Sequence, residues 1–107
     1  MGESKRHIPT LKEIREAKRA DLRAVMDKDP AATSEWSVKH TYAGYKALSA
    51  YRFANRLYLK GFVTLAKLVS AHARKKTGVE IHPAALLGKG IMIDHGSGVV
   101  IGETAEV

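Results

Sequence analysis

The residues with the most chemical promise are Asp94-His95, set in the glycine-punctuated run I-D-H-G-S-G-V-V-I-G-E-T over residues 93–104. An imidazole titrates near neutrality, so His95 is the candidate general base of the chain. The other histidines form no site. His7, His40 and His72 are scattered without ligand-like partners, and His82 precedes Pro83 at what reads as a structural corner, so no metal site is expected. The absence of cysteine removes disulfides, thiol nucleophiles and Cys-metal sites. No Ser-His-Asp grouping is present, and no GxxxxGK[ST] phosphate cradle. Gly88-Lys89-Gly90 reads as a turn and Glu103 as a solvated turn residue.

The element that must carry His95 announces itself by its period. Beyond Gly78, aliphatic residues recur every six positions at Ile81, Leu87, Ile93 and Val99, then at Ile101 and Val107 after a phase shift of two. Six is neither a helical nor a strand period. A hexad with small residues between its aliphatic positions builds one flat side of a triangular coil, with the aliphatic side chain pointing inward. The chain is thus expected to enter a left-handed parallel β-helix. The eight-residue step from Ile93 to Ile101 demands an outward bulge just after Asp94-His95, which Gly96, Gly98 and Gly102 suit.

Upstream the period is helical. Thr10-Leu11-Lys12-Glu13 has capping-box spacing, and Leu11, Ile14, Ala17, Leu22, Val25 and Met26 make an apolar stripe, predicting a helix over 11–27 that Pro30 ends through Asp29. Residues 29–37 read as a connection with room for a short helical turn. A long helix is predicted over 38–60, with Tyr45, Leu48, Tyr51 or Arg52 and Asn55 on adjoining faces and Gly61 as a left-handed cap. Another is predicted over 62–76, burying Phe62, Leu65, Ala66, Leu68 and Val69 and stopping at Gly78. The fold class is therefore α+β: an amino-terminal all-helical domain over 1–78, followed over 79–107 by the first coils of the β-helix.

Composition narrows the function classes. Residues 1–78 hold 17 Lys/Arg against 7 Asp/Glu, and residues 79–107 hold 1 against 4, so the basic excess is confined to the helices. There it alternates with acids at helical spacing, as on ordinary solvated faces, and no aromatic-basic stacking surface accompanies it, so neither a nucleic-acid nor a membrane partner is expected. The amino terminus lacks a signal peptide's apolar core, and no run of eighteen apolar residues exists, which makes the cytoplasm the default compartment.

From Val79 onward, V-E-I-H-P-A-A-x-x-G-K-G-I-M-I-D-H-G-x-G-V-V-I-G-E-T resembles the start of the catalytic domain of serine O-acetyltransferases, hexapeptide-repeat enzymes of cysteine synthesis. Asp29-Pro30-Ala31 upstream is similar to that family's Asp-Pro-Ala segment. The resemblance implies transfer of acetyl from acetyl-CoA, a co-substrate rather than a resident cofactor, to the L-serine hydroxyl, giving O-acetylserine. It implies His95 as base, Glu80 orienting the imidazole in place of the more usual Asp, and Asp94 with Asp29 holding the serine ammonium.

It also implies a homotrimer or dimer of trimers, and O-acetylserine sulfhydrylase as a partner only where a carboxyl-terminal tail follows. The acetyl-CoA-binding residues are expected beyond Val107. Residues 79–107 supply about one and a half coils, fewer than a solenoid needs, so the chain alone is expected to be inactive. Two alternatives remain: a non-catalytic basic helical binding module, and a hexapeptide acetyltransferase for a sugar or another small alcohol.

Overall fold

The computed structural model describes residues 7–29 and 32–90 in full, and Val100 and Ile101 by their backbone. Helix α1 spans Leu11–Lys28 and opens with the predicted capping box. The Glu13 amide donates to Thr10 Oγ1 at 3.1 Å while the Thr10 amide donates to Glu13 Oε1 at 2.9 Å, which satisfies two amides the helix itself leaves unpaired. The expected apolar stripe is buried at Ile14, Ala17, Leu22 and Val25, whereas Leu11 is exposed.

The single helix predicted over 38–60 is two helices. Helix α2 (Glu35–Thr41) is capped by Ser34, whose Oγ accepts from the Ser37 amide at 3.1 Å. Helix α3 (Ala43–Leu59) follows after one residue, Tyr42, held extended at φ −88° and ψ 109°. His40, Thr41, Tyr42 and Gly44 are weak helix formers, but nothing local fixes the break at Tyr42. The break lets α2 lie against α1 as well as α3, so that Val38 enters one apolar cluster with Leu22, Val25 and Tyr45, and Tyr42 packs on its edge.

Helix α3 ends as predicted. The Gly61 amide donates to Tyr58 O at 3.0 Å and the Phe62 amide to Leu57 O at 2.9 Å, with Gly61 at φ 99°. This paired closure requires a left-handed residue, which glycine adopts without a Cβ penalty.

Helix α4 (Val63–Thr77) stops at Gly78, φ 76°, with Arg74, Lys75 and Lys76 placed favourably at its negative end. Its predicted burial is corrected: Phe62, Leu65 and Leu68 are 54, 49 and 62% exposed, Val69 is half-buried, and Ala66 is the buried residue of the helix. α4 packs chiefly along α3 and more lightly against residues 80–81, which leaves the side bearing Phe62, Leu65 and Leu68 uncovered.

Strand β1 (Glu80–Ile81) pairs in parallel with β2 (Val100–Ile101), in the register Glu80 with Val100 and Ile81 with Ile101. Twenty residues separate the partners, which is three hexads plus the phase shift of two read from the sequence. Among the described residues the architecture is thus four helices and one short parallel pair.

The core crosses the 78/79 boundary. Ala47, Leu48 and Tyr51 of α3 form one cluster with Val79, Ile81, Ala85 and Leu87. After β1, residues 82–88 hold a turn and an isolated bridge at Leu86 rather than a continuous strand, and several carbonyls between 81 and 88 are taken up by helix side chains. Asn55 Nδ2 donates to Pro83 O at 2.7 Å, Ser70 Oγ to Ile81 O at 2.6 Å, and Tyr51 to Ala85 O. Arg52 donates to Leu87 O at 3.2 Å and to Gly88 O. Buried carbonyls need partners. Here α3 supplies most of them, from one face, at positions 51, 52 and 55.

Candidate functional site

Of the four residues assigned chemistry from the sequence, Asp29 and Glu80 are described; Asp94 and His95, together with Glu103, lie outside the described residues. Asp29 caps the carboxyl end of α1. Its amide closes the helix onto Val25 O at 3.0 Å, and its own carbonyl accepts from the Ala32 amide at 3.0 Å, so the backbone is fixed on both sides. The carboxylate is fixed too, because Tyr42 donates its hydroxyl to Asp29 Oδ2 at 2.8 Å. That hydrogen bond, then burial, then the negative charge itself, push the Tyr42 hydroxyl above the ordinary tyrosine range.

The extended break between α2 and α3 therefore has a local product: a phenol aimed at an acid thirteen residues earlier. Sequence reasoning missed Tyr42, and nothing in its neighbours signals the role.

Glu80 lies on β1, half-exposed, with Oε1 3.3 Å from Arg74 Nε of α4. The two border a groove of about 350 Å³ that also contains Lys67, Ser70 and His82. An exposed pair at this distance contributes little stability and exchanges partners readily. The β1–β2 register bears on Glu80 directly, because it pairs Glu80 with Val100.

Three of the remaining histidines are occupied locally, and His72 is exposed on α4. His82 Nδ1 accepts from the Ala84 amide at 3.0 Å and its ring meets the Tyr58 ring edge-on at 5.8 Å. His40 Nδ1 lies 2.8 Å from Trp36 O, and its ring stacks on Trp36. His7 Nε2 lies 2.7 Å from Glu13 Oε1.

What holds this arrangement is a buried ion pair. Asp21, 0% exposed, takes both Arg52 Nε (3.1 Å) and Nη2 (3.0 Å) in a two-point contact, and the same guanidinium reaches the Leu87 and Gly88 carbonyls. α1, α3 and the segment before the turn at Gly90 are thereby tied at one point. The signal was available: Asp21 stands four residues from both Ala17 and Val25 on the buried stripe of α1, and Arg52 stands on the apolar face of α3. Opposite charges on two buried faces predict a pair.

Residues 4–50 match the family described as "Serine acetyltransferase, N-terminal". The chain is 51% identical over 87 residues to a serine acetyltransferase of Bacillus subtilis, covering 81% of this chain and 40% of that protein. Its fold superposes with TM-score 0.85 and 41% identity on a Neisseria gonorrhoeae serine acetyltransferase solved with serine, covering 89% of this chain and 39% of that one. With an Entamoeba histolytica serine acetyltransferase isoform solved with cysteine, the TM-score is 0.83 at 38% identity, covering 87% and 34%. The chain thus spans about two fifths of the length of these relatives.

Proposed function

The chain belongs to the serine acetyltransferase family, whose amino-terminal part it matches, and from that premise we propose that it carries the serine-binding half of an acetyl-transfer site. The reaction moves acetyl from acetyl-CoA to the hydroxyl of L-serine, giving O-acetylserine and CoA. The observation that supports the reading is the parallel register of Glu80-Ile81 with Val100-Ile101, whose twenty-residue offset is the one expected where a hexad coil with a phase shift of two begins.

In this reading His95 takes the serine hydroxyl proton as the oxygen attacks the thioester carbon. The tetrahedral adduct collapses, the C–S bond breaks, and the proton passes from the imidazolium to the departing sulfur. Glu80 exchanges Arg74 for the imidazolium and steadies it. Asp94 and Asp29 receive the serine ammonium, with Tyr42 occupying one oxygen of Asp29 and so fixing the direction of the other.

In this reading acetyl-CoA is a co-substrate rather than a resident cofactor. The uncovered face of α4 at Phe62, Leu65 and Leu68 suits subunit contacts in a trimer or a dimer of trimers. No helix among the described residues is long and apolar enough to cross a membrane. O-acetylserine sulfhydrylase is a partner only where a carboxyl-terminal tail follows.

In the protein expressed from its full coding sequence, His95→Ala is expected to abolish serine-dependent release of CoA thiol while leaving the oligomer intact on size exclusion. Near-normal turnover would refute the base assignment. Asp29→Ala should impair serine far more than an acceptor alcohol without an ammonium group; equal loss on both would favour a sugar or other alcohol as the natural acceptor.

A further inference from the structure

The groove between α1, α2 and α3 holds about 720 Å³ and lies outside the acetyl-transfer reading altogether. Its α1 wall is a single helical stripe in which Arg15, Lys18, Arg19 and Arg23 follow one another at spacings of three, one and four. Arg15 and Arg19, then Arg19 and Arg23, are like-charged neighbours one turn apart, an arrangement that weakens an isolated helix. Lys39 from α2 and Lys46 from α3 face the same space. Six cations therefore border the groove against one carboxylate, Glu35, and none of the six forms an ion pair among the described residues.

The remaining lining separates this groove from an ordinary solvated face. Leu22, Met26 and Tyr45 give it an apolar floor continuous with the cluster that holds α2 in place. Ser49 Oγ, which also lines it, is buried and has no hydrogen-bond partner among the described residues. Convergent cations, a donor without an acceptor and an apolar floor in one concavity are the parts of an anion-binding site.

We propose that this groove binds a small organic anion bearing two or more phosphate groups. The phosphates lie between the α1 stripe and Lys39 and Lys46, and the organic part rests on Met26 and Tyr45. Such a ligand neutralises the repulsion along α1 and bridges α1 to α2, the shorter and less buried of the elements around it. A nucleic-acid strand fits less well, because the cations converge on a pocket rather than continuing along an extended track with stacking aromatics.

The test is calorimetric titration of the full-length protein with tripolyphosphate at about 150 mM KCl, where diffuse surface attraction is largely screened. Saturable binding is expected. The Arg19→Gln/Lys46→Gln double variant should weaken it about tenfold or more, and Lys75→Gln/Lys76→Gln, which removes the same charge from the end of α4, should leave it within about twofold. Circular dichroism confirms that both variants keep their helices. Equal weakening by the two variants, no heat at millimolar tripolyphosphate, or a single-stranded oligonucleotide that binds and is not displaced by tripolyphosphate would each overturn the proposal.

Discussion

Replacing Arg52 by Met tests whether the ion pair at the centre of the fold fastens the helices to the segment that follows them. Arg52 makes four hydrogen bonds, two to Asp21 and one each to the Leu87 and Gly88 carbonyls. Arg52→Met takes the guanidinium away from the Asp21 carboxylate in a site that is 0% exposed. Breaking a buried pair by removing one partner costs about 3–5 kcal/mol. Asp21→Leu strands the guanidinium, which keeps its two carbonyls, and falls at the lower end of that range.

The Asp21→Leu/Arg52→Met double variant strands neither charge. It retains the loss of two carbonyl partners, about 0.5–1.5 kcal/mol each, partly offset by apolar packing. The double variant is therefore expected to be more stable than Arg52→Met alone, with a coupling energy of about 3 kcal/mol in a double-mutant cycle. Urea unfolding at one fixed protein concentration measures the cycle, since assembly makes stability concentration-dependent. Amide exchange adds a local readout: Arg52→Met should accelerate exchange around residues 84–88 more than in α4. Single variants each costing under about 1 kcal/mol, or a double variant as damaging as the sum of the singles, would refute the reasoning.

Two further predictions concern protons and one concerns substrate. The Thr10 amide first, then the His7 side chain, hold the Glu13 carboxyl down to about 2 from an ordinary 4.5. A group depressed on folding stabilises above its unfolded value and loses that contribution as pH falls through its folded value, so Glu13→Gln should flatten the acid limb of a melting-temperature profile between about pH 4.5 and 2. Tyr42 is shifted the other way. Its contribution is present below the ordinary tyrosine value of 10.0 and is lost as pH rises through the higher folded value, a limb that Tyr42→Phe should remove from an alkaline melt. In the full-length protein Tyr42→Phe removes one of the hydrogen bonds that orient Asp29 and should raise the serine KM severalfold, with kcat reduced less; kcat falling alone would contradict a role through Asp29.

The parts of the fold legible in the sequence are those fixed by neighbours along the chain. Thr10 and Glu13 cap α1, Gly61 and Gly78 adopt the left-handed turns assigned to them, and the hexad phase shift reappears as the pairing of Ile81 with Ile101. The parts that escaped depend on residues distant in sequence. Tyr42 interrupts a run whose apolar spacing reads as one helix, and its hydroxyl bond to Asp29 and its packing on the Leu22 cluster form only once α1 and α2 meet. Phe62, Leu65 and Leu68 show a helix-face pattern, but the pattern does not say what covers them, and α3 covers only the Ala66 side. At the candidate site, Asp29 and Glu80 were found through resemblance, while Tyr42 and Arg74, the groups that hold their carboxylates, were not.

The same distinction explains why α3 carries polar residues on a buried face. A hexad coil satisfies its backbone by stacking on the coil after it, and the residues that precede the first stacked rung have no such neighbour on one side. Tyr51, Arg52 and Asn55 stand where that neighbour is missing and donate to the carbonyls of residues 83, 85, 87 and 88. The helical region thus caps the segment that follows β1, and its basic composition includes one arginine that is structural rather than solvated. The helices therefore hold both described members of the proposed site, Asp29 through the Tyr42 hydroxyl and Glu80 through Arg74 and the Ile81 carbonyl that Ser70 takes up beside it.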